Sequence, residues 1–403
     1  MARHYVDWLD AFVQYASLGE APLEAMYWVG VSTIAGALRR KVWIDEIIFQ
    51  WLPNFYIVLV AEPGIVSKTT TANIGFELLR EVEGINFGPD MTTWQALIEA
   101  VEGLGETFEL DGLQYPMSAM TVAIDELGTF IDPDDRSQID ALVALYDCKR
   151  GDLKKLTKSQ GSNTLSYPWI NIFACTTPTW INSNFPDYFL GSGFMSRVIF
   201  VMVGGKRHFV PYPSRRVQPT RPAVKAHLVS DLRQIAGMAG AFQLTPEAFE
   251  WGEAWYKAHW TKYANGGKEL LGYPARAQTH MHKLAMVISA SRGEFPLITE
   301  AHLIEADSRL RALEGGMSRV SAIVGTQGLT RAADDIVEAV KKAGGTINRR
   351  ELFRKYFFRR LSNREFEEAL KATTTAGLLT VLPEPQGIMV RAVGQGAPPS
   401  RLP

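Results

Sequence analysis

The stretch that decides the fold is Tyr56-Ile57-Val58-Leu59-Val60-Ala61-Glu62-Pro63-Gly64-Ile65-Val66-Ser67-Lys68-Thr69. Its first five residues form an apolar run without polar alternation, which is typical of a strand buried on both faces of a parallel sheet. The run stops at Glu62-Pro63-Gly64, and a helical pattern begins at Lys68. A strand, a glycine turn and a helix in this order form the frame of a phosphate-binding loop.

The turn aligns with the eight-residue P-loop pattern, although Glu62 and Ser67 stand where that pattern has glycines. Backbone N–H groups at the start of the helix are expected to bind phosphate, and Lys68 is expected to reach the β- and γ-phosphates. The alternative is a strand, turn and helix that merely carry a surface lysine. If the turn binds ATP, the nucleotide-binding residues are Gly64, Ile65, Val66, Ser67, Lys68, Thr69 and Thr70.

Two further apolar runs end in polar residues suited to the same site. The first ends in Asp125-Glu126: Asp125 is expected to hold Mg²⁺ together with Thr69, and Glu126 to polarise the attacking water. The second ends in Thr176-Thr177-Pro178, where Thr176 is expected to position that water. The alternative is that Thr176 has no role in catalysis and that Thr-Thr-Pro simply ends the strand. The order of the motifs favours an ATP and Mg²⁺ site.

Arginines are candidates for contact with the phosphates. Arg197 precedes the apolar run 198–203 and is expected to act as an arginine finger on a neighbouring subunit, which predicts a ring. A structural ion pair with an acid at a helix end is the alternative. Arg276, at the start of a helical pattern, is a candidate second sensor within the same subunit, and Arg292 is the other candidate. Either could equally form a structural ion pair.

Basic residues cluster in two places. The first cluster lies between the acidic pair and the Thr-Thr motif. A basic loop at this place would bind nucleic-acid phosphates without base specificity. Solvated surface is the alternative interpretation. The second cluster lies in the C-terminal region, where contact with DNA or with protein is open. The expected nucleic-acid contacts of the first cluster are Lys149, Arg150, Lys154, Lys155 and Lys158.

The pattern along the chain predicts an α/β fold with several parts: an N-terminal helical region (1–50), a P-loop ATPase core (51–205), and a connector with a helical lid (206–325). A C-terminal winged-helix domain (329–393) and a disordered tail (394–403) follow. The winged helix is predicted from three short helices and two strands beyond a boundary at Gly325–Gly328. A chain of 403 residues exceeds one compact core, which agrees with several parts.

Composition narrows the class of protein. Hydrophobic residues make up 46% and the net charge is −1, which is typical of a soluble globular protein without a global preference for nucleic acid or membrane. Cys148 and Cys175 lack metal-ligand spacing, and the first residues carry no signal-peptide pattern. The sequence predicts a soluble cytoplasmic protein with no metal beyond Mg²⁺.

Together these motifs resemble the primase-associated, helicase-like P-loop ATPases of phages and mobile genetic elements. The resemblance covers the N-terminal helices, residues 62–69, the acidic pair, Thr176-Thr-Pro178 and Gly193–Arg197. The segment around Arg197 is also similar to that of minichromosome-maintenance AAA+ helicases. The resemblance implies an AAA+/RecA-like hexameric DNA helicase that works beside a primase or polymerase. Two rival functions stay open: an ATP-dependent helicase loader or initiator, and a non-catalytic nucleotide switch that tethers DNA.

Overall fold

The structure is a computed structural model that describes residues 3–89, 94–133, 135–157, 161–185, 189, 193–263, 272–358, 361–385 and 387–393. The chain divides into two compact units, Met1–Ala322 and Ile323–Pro403. Both combine helices with strands, so the fold is mixed α/β. The tail expected at 394–403 lies outside the described residues. Among the described residues, no helix is long and apolar enough to span a membrane.

The secondary structure follows the sequence pattern in its outline. The helices are α1 (Trp8–Ala16), α2 (Leu23–Leu38), α3 (Lys68–Arg80), α4 (Trp94–Glu102), α5 (Arg136–Tyr146), α6 (Pro178–Asn184), α7 (Arg221–Ala236), α8 (Pro246–Tyr263), α9 (Ala277–Arg292), α10 (Glu300–Lys342), α11 (Arg349–Leu352) and α12 (Asn363–Thr375). The strands are β1 (Val42–Asp45), β2 (Gln50–Trp51), β3 (Tyr56–Val60), β4 (Glu106–Leu110), β5 (Leu113–Ile124), β6 (Leu153–Thr157), β7 (Gly161–Leu165), β8 (Pro168–Thr176), β9 (Val198–Met202), β10 (Gly240–Leu244), β11 (Leu297–Ile298), β12 (Thr346–Asn348), β13 (Leu379–Glu384) and β14 (Gly387–Ala392).

The central sheet has the strand order β4-β5-β8-β3-β9. Strands β5, β8, β3 and β9 are parallel, and β4 adds an antiparallel edge, so the sheet is mixed rather than purely parallel. Every residue of β3 and β8 is buried, because helices cover both faces of the sheet. The pairing of Val60 with Thr176 and with Met202 aligns the carboxyl ends of β8, β3 and β9.

Helix α2 belongs to the core of this unit, since nearly all of its residues are buried. It packs against α3, and two glycines bring the helices together. A Cβ at Gly75 would lie 2.5 Å from Thr33 Oγ1 and 2.6 Å from Val29 Cγ1, and one at Gly36 would lie 2.6 Å from Leu79 Cδ2. Because α3 starts at Lys68, this close contact fixes the helix that follows the turn.

Replacing Gly75 by alanine is expected to lower the free energy of unfolding by up to about 2 kcal/mol. Thr33 and Val29 are β-branched and stiff in a helix, so they yield little to the new methyl group. Overpacking costs about 1–3 kcal/mol, and the helix propensity gained from alanine, about 1 kcal/mol, offsets only part of it. Urea denaturation measures the change. Gly204→Ala, where the added Cβ meets open space, is the control. Equal stability of the two variants would contradict the close packing.

The C-terminal unit has its own core, which includes Ile336, Leu352, Phe366 and Val390. Strand β14 pairs antiparallel with both β12 and β13. Ser362 and Glu365 form a capping box at the start of α12. The expected short first helix is wrong in its extent, because α10 runs continuously through the segment 325–328 and the division between the units falls after Ala322. The strand β12 was not predicted.

Candidate functional site

The turn after β3 leads directly into α3 at Lys68. Gly64 has a φ of 71°, in the left-handed region that favours glycine. Val66 is buried beneath the turn, whereas Ile65 and Ser67 are exposed. The ammonium of Lys68 donates a hydrogen bond to the carbonyl oxygen of Ala61 at 2.9 Å. In the described residues no side chain caps α3 at Ser67. The N–H of Lys68 donates to the Val66 carbonyl at 2.8 Å, so the N–H groups of Thr69 and Thr70 are those that an anion at the start of α3 would meet.

The acidic pair and Thr176 lie at the same edge of the sheet as this turn. Thr176 ends β8 and pairs with Val60, and Asp125-Glu126 directly follows the last residue of β5. The Thr176 hydroxyl donates to Glu126 Oε1 at 3.3 Å. Asp125 is exposed and Glu126 is half-buried. Since neighbouring strands lie about 4.8 Å apart, the sheet gathers the turn, the threonine and the acids at one edge.

The pKa of the buried Cys175 thiol responds to the charged groups at this edge of the sheet. Burial raises the pKa of Cys175 to about 12, the charges of Asp125 and Glu126 add to the rise, and the charge of Lys68 opposes it. A single buried group feels all three charges because β8 lies between β5 and β3. The thiol itself stays protonated at neutral pH and is therefore chemically inert.

The predicted residues of the turn thus form one group with the acids and Thr176. Thr69 and Thr70 follow Lys68 in the first turn of α3, and Thr69 is half-buried. An ammonium group, a helix N-terminus and two carboxylates can bind a polyphosphate with its divalent cation and can polarise water. Among the described residues there is no cluster of His, Cys, Asp and Glu that could hold a metal by protein ligands alone.

Arg197 lies at the opposite edge of the sheet. It directly precedes β9, whose first residue pairs with Tyr56 at the start of β3. Its side chain is 8% exposed and forms a two-pronged ion pair with Asp147, with Nη2 to Oδ2 at 2.6 Å and Nε to Oδ1 at 3.2 Å. Asp147 is the C-cap residue of α5. Arg197 therefore has the geometry of the alternative interpretation, a pair with an acid at a helix end, and within its own chain it is remote from Lys68.

Arg276 is not brought together with Lys68 either. Its guanidinium contacts the same Asp147 carboxylate, with Nη1 to Oδ1 at 3.4 Å. Contact of Arg276 with phosphates held by its own chain stays a prediction. Arg292 pairs with Asp7 at 2.9 Å and with Glu305 at 2.6 Å. Both candidates for a second sensor form intrachain ion pairs, because carboxylates on distant elements pack against them.

The basic cluster divides between a loop and a hairpin. Lys149 and Arg150 are exposed, and Arg150 pairs with Asp45 at 2.6 Å, which ties it to the β1–β2 hairpin. Lys154 and Lys155 belong to β6, one strand of the β6–β7 hairpin, but their side chains lie outside the described residues, as does the whole of Lys158. The segment after Asp152 is thus a pair of antiparallel strands, whereas its turn residues predicted a loop.

Sequence reasoning missed Asp147 and Lys283. Lys283 is fully buried on α9, and its ammonium donates to the main-chain oxygen of Asn54 at 3.1 Å and to its Oδ1 at 2.7 Å. The ammonium also lies 3.7 Å from the centroid of the Tyr146 ring. His280, one turn earlier, contacts the Tyr146 hydroxyl at 3.1 Å and the Ser196 carbonyl at 3.0 Å. The helical periodicity of α9 signals burial of these residues but not their partners.

The burial of Lys283 makes stability depend on pH. Burial lowers the pKa of Lys283 from 10.5 to about 7. Between these values the unfolded chain holds a proton that the folded chain lacks, so the free energy of unfolding rises with pH, by up to about 1.4 kcal/mol per pH unit. Lys283→Met is expected to flatten this rise between about pH 7.5 and 9.5, measured by urea denaturation. Lys257→Met, on an exposed face, is the control. If the free energy of unfolding of Lys283→Met rises with pH as steeply as that of wild type, the lowered pKa of Lys283 is contradicted.

In the comparisons with known proteins, no protein-family model matches the chain, and no curated protein matches it. The geometry of the two sheet edges therefore carries the functional argument.

Proposed function

We propose that this chain is an ATPase with a P-loop NTPase core of the AAA+/RecA-like type. One observation carries the proposal: Lys68, the acidic pair and Thr176 come from three separate parts of the sequence, and the strand order β5-β8-β3 gathers them at one edge of the sheet. The three neighbouring strands end in a turn with a lysine, in a threonine and in two acids. ATP hydrolysis needs these groups to bind phosphate, to hold Mg²⁺ and to activate water. Ligands of open α/β sheets generally bind at this carboxyl edge.

Each residue then has a role in the reaction. The first turn of α3 and Lys68 bind the phosphates, and Lys68 exchanges the Ala61 carbonyl for a phosphate oxygen. Thr69 and Asp125 would hold Mg²⁺, which offsets phosphate charge when bound; the exposed Asp125 carboxylate and the half-buried Thr69 hydroxyl fit that role. Glu126 accepts the proton of the attacking water, and its hydrogen bond from Thr176 orients the carboxylate.

In this reaction Arg197 can act only on the ATP bound to another subunit. Its position at the opposite edge of the sheet keeps it from its own nucleotide, so any action on ATP requires the nucleotide of a neighbour in a head-to-tail ring, for which we propose six subunits. The rigid pair with Asp147 would hold the guanidinium in a fixed orientation, which supports transition-state stabilisation. A structural ion pair without such a role remains the competing interpretation, and subunit mixing tests it below.

We further propose that the ring moves along DNA as a helicase or translocase in the replication of a phage or mobile element, beside a primase or polymerase. The exposed Lys149, together with the basic composition of the β6–β7 hairpin, supports contact with single-stranded DNA in a channel. The helices and the paired strands β13 and β14 of the C-terminal unit support a winged helix. Its Arg354 and Lys355, beside the N-terminal end of β12, suit contact with duplex phosphates.

ATP binding tests the first step of this proposal. Lys68→Ala is expected to weaken binding of a fluorescent ATP analogue by about 10-fold or more, because a charged hydrogen bond to phosphate contributes about 1.5–3 kcal/mol. Titration at fixed Mg²⁺ gives the dissociation constants. Lys257→Ala, an exposed lysine on α8, is the matched control and is expected to bind as wild type does. Equal affinity of Lys68→Ala and wild type would remove the turn from the nucleotide site.

A further inference from the structure

A cavity of about 310 Å³ lies at the edge of the sheet opposite Lys68. It is bounded by the strand β2, the end of α5, Asn54 just before β3, and the first turns of α9. We call it the Arg276 cavity, after the arginine at its rim. Its volume is at the lower end of the range of pockets that hold small organic ligands. The proposed ATPase makes no use of this cavity within its own subunit.

The charged groups around the Arg276 cavity favour an anion. Among the described residues that line the cavity, Asp147 is the only carboxylate, and the two-pronged bond from Arg197 already balances its charge. Arg276 contacts the same carboxylate more loosely, at 3.4 Å, and its side chain, which lines the cavity, is 31% exposed. Lys283 also lies in the wall; burial lowers its pKa to about 7, so it is partly protonated at neutral pH, and its hydrogen-bond partners on Asn54 are neutral. The balance of charge around the cavity is therefore positive.

The remaining walls suit a planar ring and hydrogen-bond acceptors. Phe49 is 42% exposed, and its ring centroid lies 5.0 Å from that of Trp51. Trp51 stacks on His282 at 4.1 Å, which holds the indole in place. Gln278 and Thr279, on the first turn of α9, contribute an amide and a hydroxyl that can donate hydrogen bonds. A cation beside aromatic faces is the combination that binds a phosphate attached to a ring.

We propose that the Arg276 cavity is a second ligand site, which binds a small phosphate monoester that carries an aromatic ring, such as a mononucleotide. The phosphate contacts Arg276 and the amide of Gln278, and the ring packs against Phe49. The site is separate from Lys68 because Asp147 and Asn54 lie at the amino ends of the central strands, whereas Lys68 follows their carboxyl ends. The inference therefore does not depend on the proposed ATPase.

Calorimetric titration of the full chain with AMP tests the proposal, with Lys68→Ala as the background so that the turn after β3 does not contribute. In that background AMP is expected to bind one site per chain. Adding Arg276→Ala is expected to weaken it by about 10-fold or more. The exposed Arg364→Ala, in the C-terminal unit, is the matched control. Inorganic phosphate and adenosine, titrated separately, are each expected to bind more weakly than AMP.

Gln278→Glu is a second variant that tests the site without removing Arg276, whose loss could disturb the contact with Asp147. The replacement is nearly isosteric, and a carboxylate in the first turn of α9 is favourable to the helix, so the fold is expected to persist. The same carboxylate repels phosphate, so loss of AMP binding in this variant is the expected result. Absence of AMP binding to the Lys68→Ala protein would overturn the proposal. So would binding that Gln278→Glu leaves unchanged.

Discussion

Glu126→Gln is expected to lower steady-state ATP hydrolysis by about 100-fold or more while ATP still binds, because the neutral amide cannot accept the proton of the attacking water. The substitution keeps the shape of the side chain and an oxygen that can accept the hydrogen bond from Thr176. Asp125 and Lys68 are untouched, so the binding of ATP with Mg²⁺ is expected to be near that of wild type. Turnover by released phosphate and affinity for a fluorescent ATP analogue measure the two effects.

Glu99→Gln, on α4, is the matched control for loss of a carboxylate and is expected to hydrolyse ATP as wild type does. Thr176→Val provides an intermediate case, since it removes only the hydrogen bond that orients Glu126. Full hydrolysis by Glu126→Gln would mean that another group activates the water. In that event the adjacency of Glu126 and Thr176 would be structural rather than catalytic.

Arg197→Ala is expected to lower hydrolysis by about 1000-fold with little change in ATP affinity, which is the usual effect of removing an arginine finger. The residue lies too far from its own Lys68 to bind the same nucleotide, so the loss must arise at a neighbour's site. Mixing Arg197→Ala with Glu126→Gln therefore restores hydrolysis, because the second protein supplies an intact arginine to the intact site of the first. Phosphate release as a function of the mixing ratio measures the recovery.

The structural alternative predicts a different result for the same mixture. If the pair of Arg197 with Asp147 only stabilises the subunit, Arg197→Ala lowers the melting temperature and mixing restores nothing. Asp147→Asn separates the cases further, because it keeps the arginine but removes the carboxylate that orients it. Reduced hydrolysis of Asp147→Asn at normal ATP affinity is expected if the orientation matters.

The turn and its acidic partners could be predicted from the sequence because each motif is local. The run Tyr56–Val60 predicts a buried strand, and Asp125 and Thr176 directly follow runs of the same kind. Parallel strands align their carboxyl ends, so residues that follow such strands meet at one edge. The structure brings these residues together as that reasoning predicts.

The partners of the arginines could not be predicted, because they depend on packing between distant segments. Asp147 lies 50 residues from Arg197 along the chain, and it stands beside the basic residues Lys149 and Arg150 in the sequence rather than near an arginine that it pairs with. Asn54, which bonds Lys283, is 229 residues away from it. Sequence patterns report burial and local conformation, but they do not specify which charged side chains meet across the core.

The extent of α10 was missed for a related reason. Gly325 and Gly328 are weak helix formers and predicted a boundary, but the helix is continuous from Glu300 to Lys342. Buried residues on both sides, such as Val320 and Ile336, anchor the helix in each unit. Packing of the flanking turns outweighs a glycine penalty of about 1 kcal/mol per residue.

Steady-state ATP hydrolysis by wild type and Lys68→Ala, with and without single-stranded DNA, tests the central claim most directly. The proposed motor predicts that wild type turns over ATP with Mg²⁺, that single-stranded DNA raises the rate, and that Lys68→Ala loses the activity under both conditions. No turnover by wild type in the presence of DNA, or equal turnover by the two proteins, would contradict an ATPase site at Lys68.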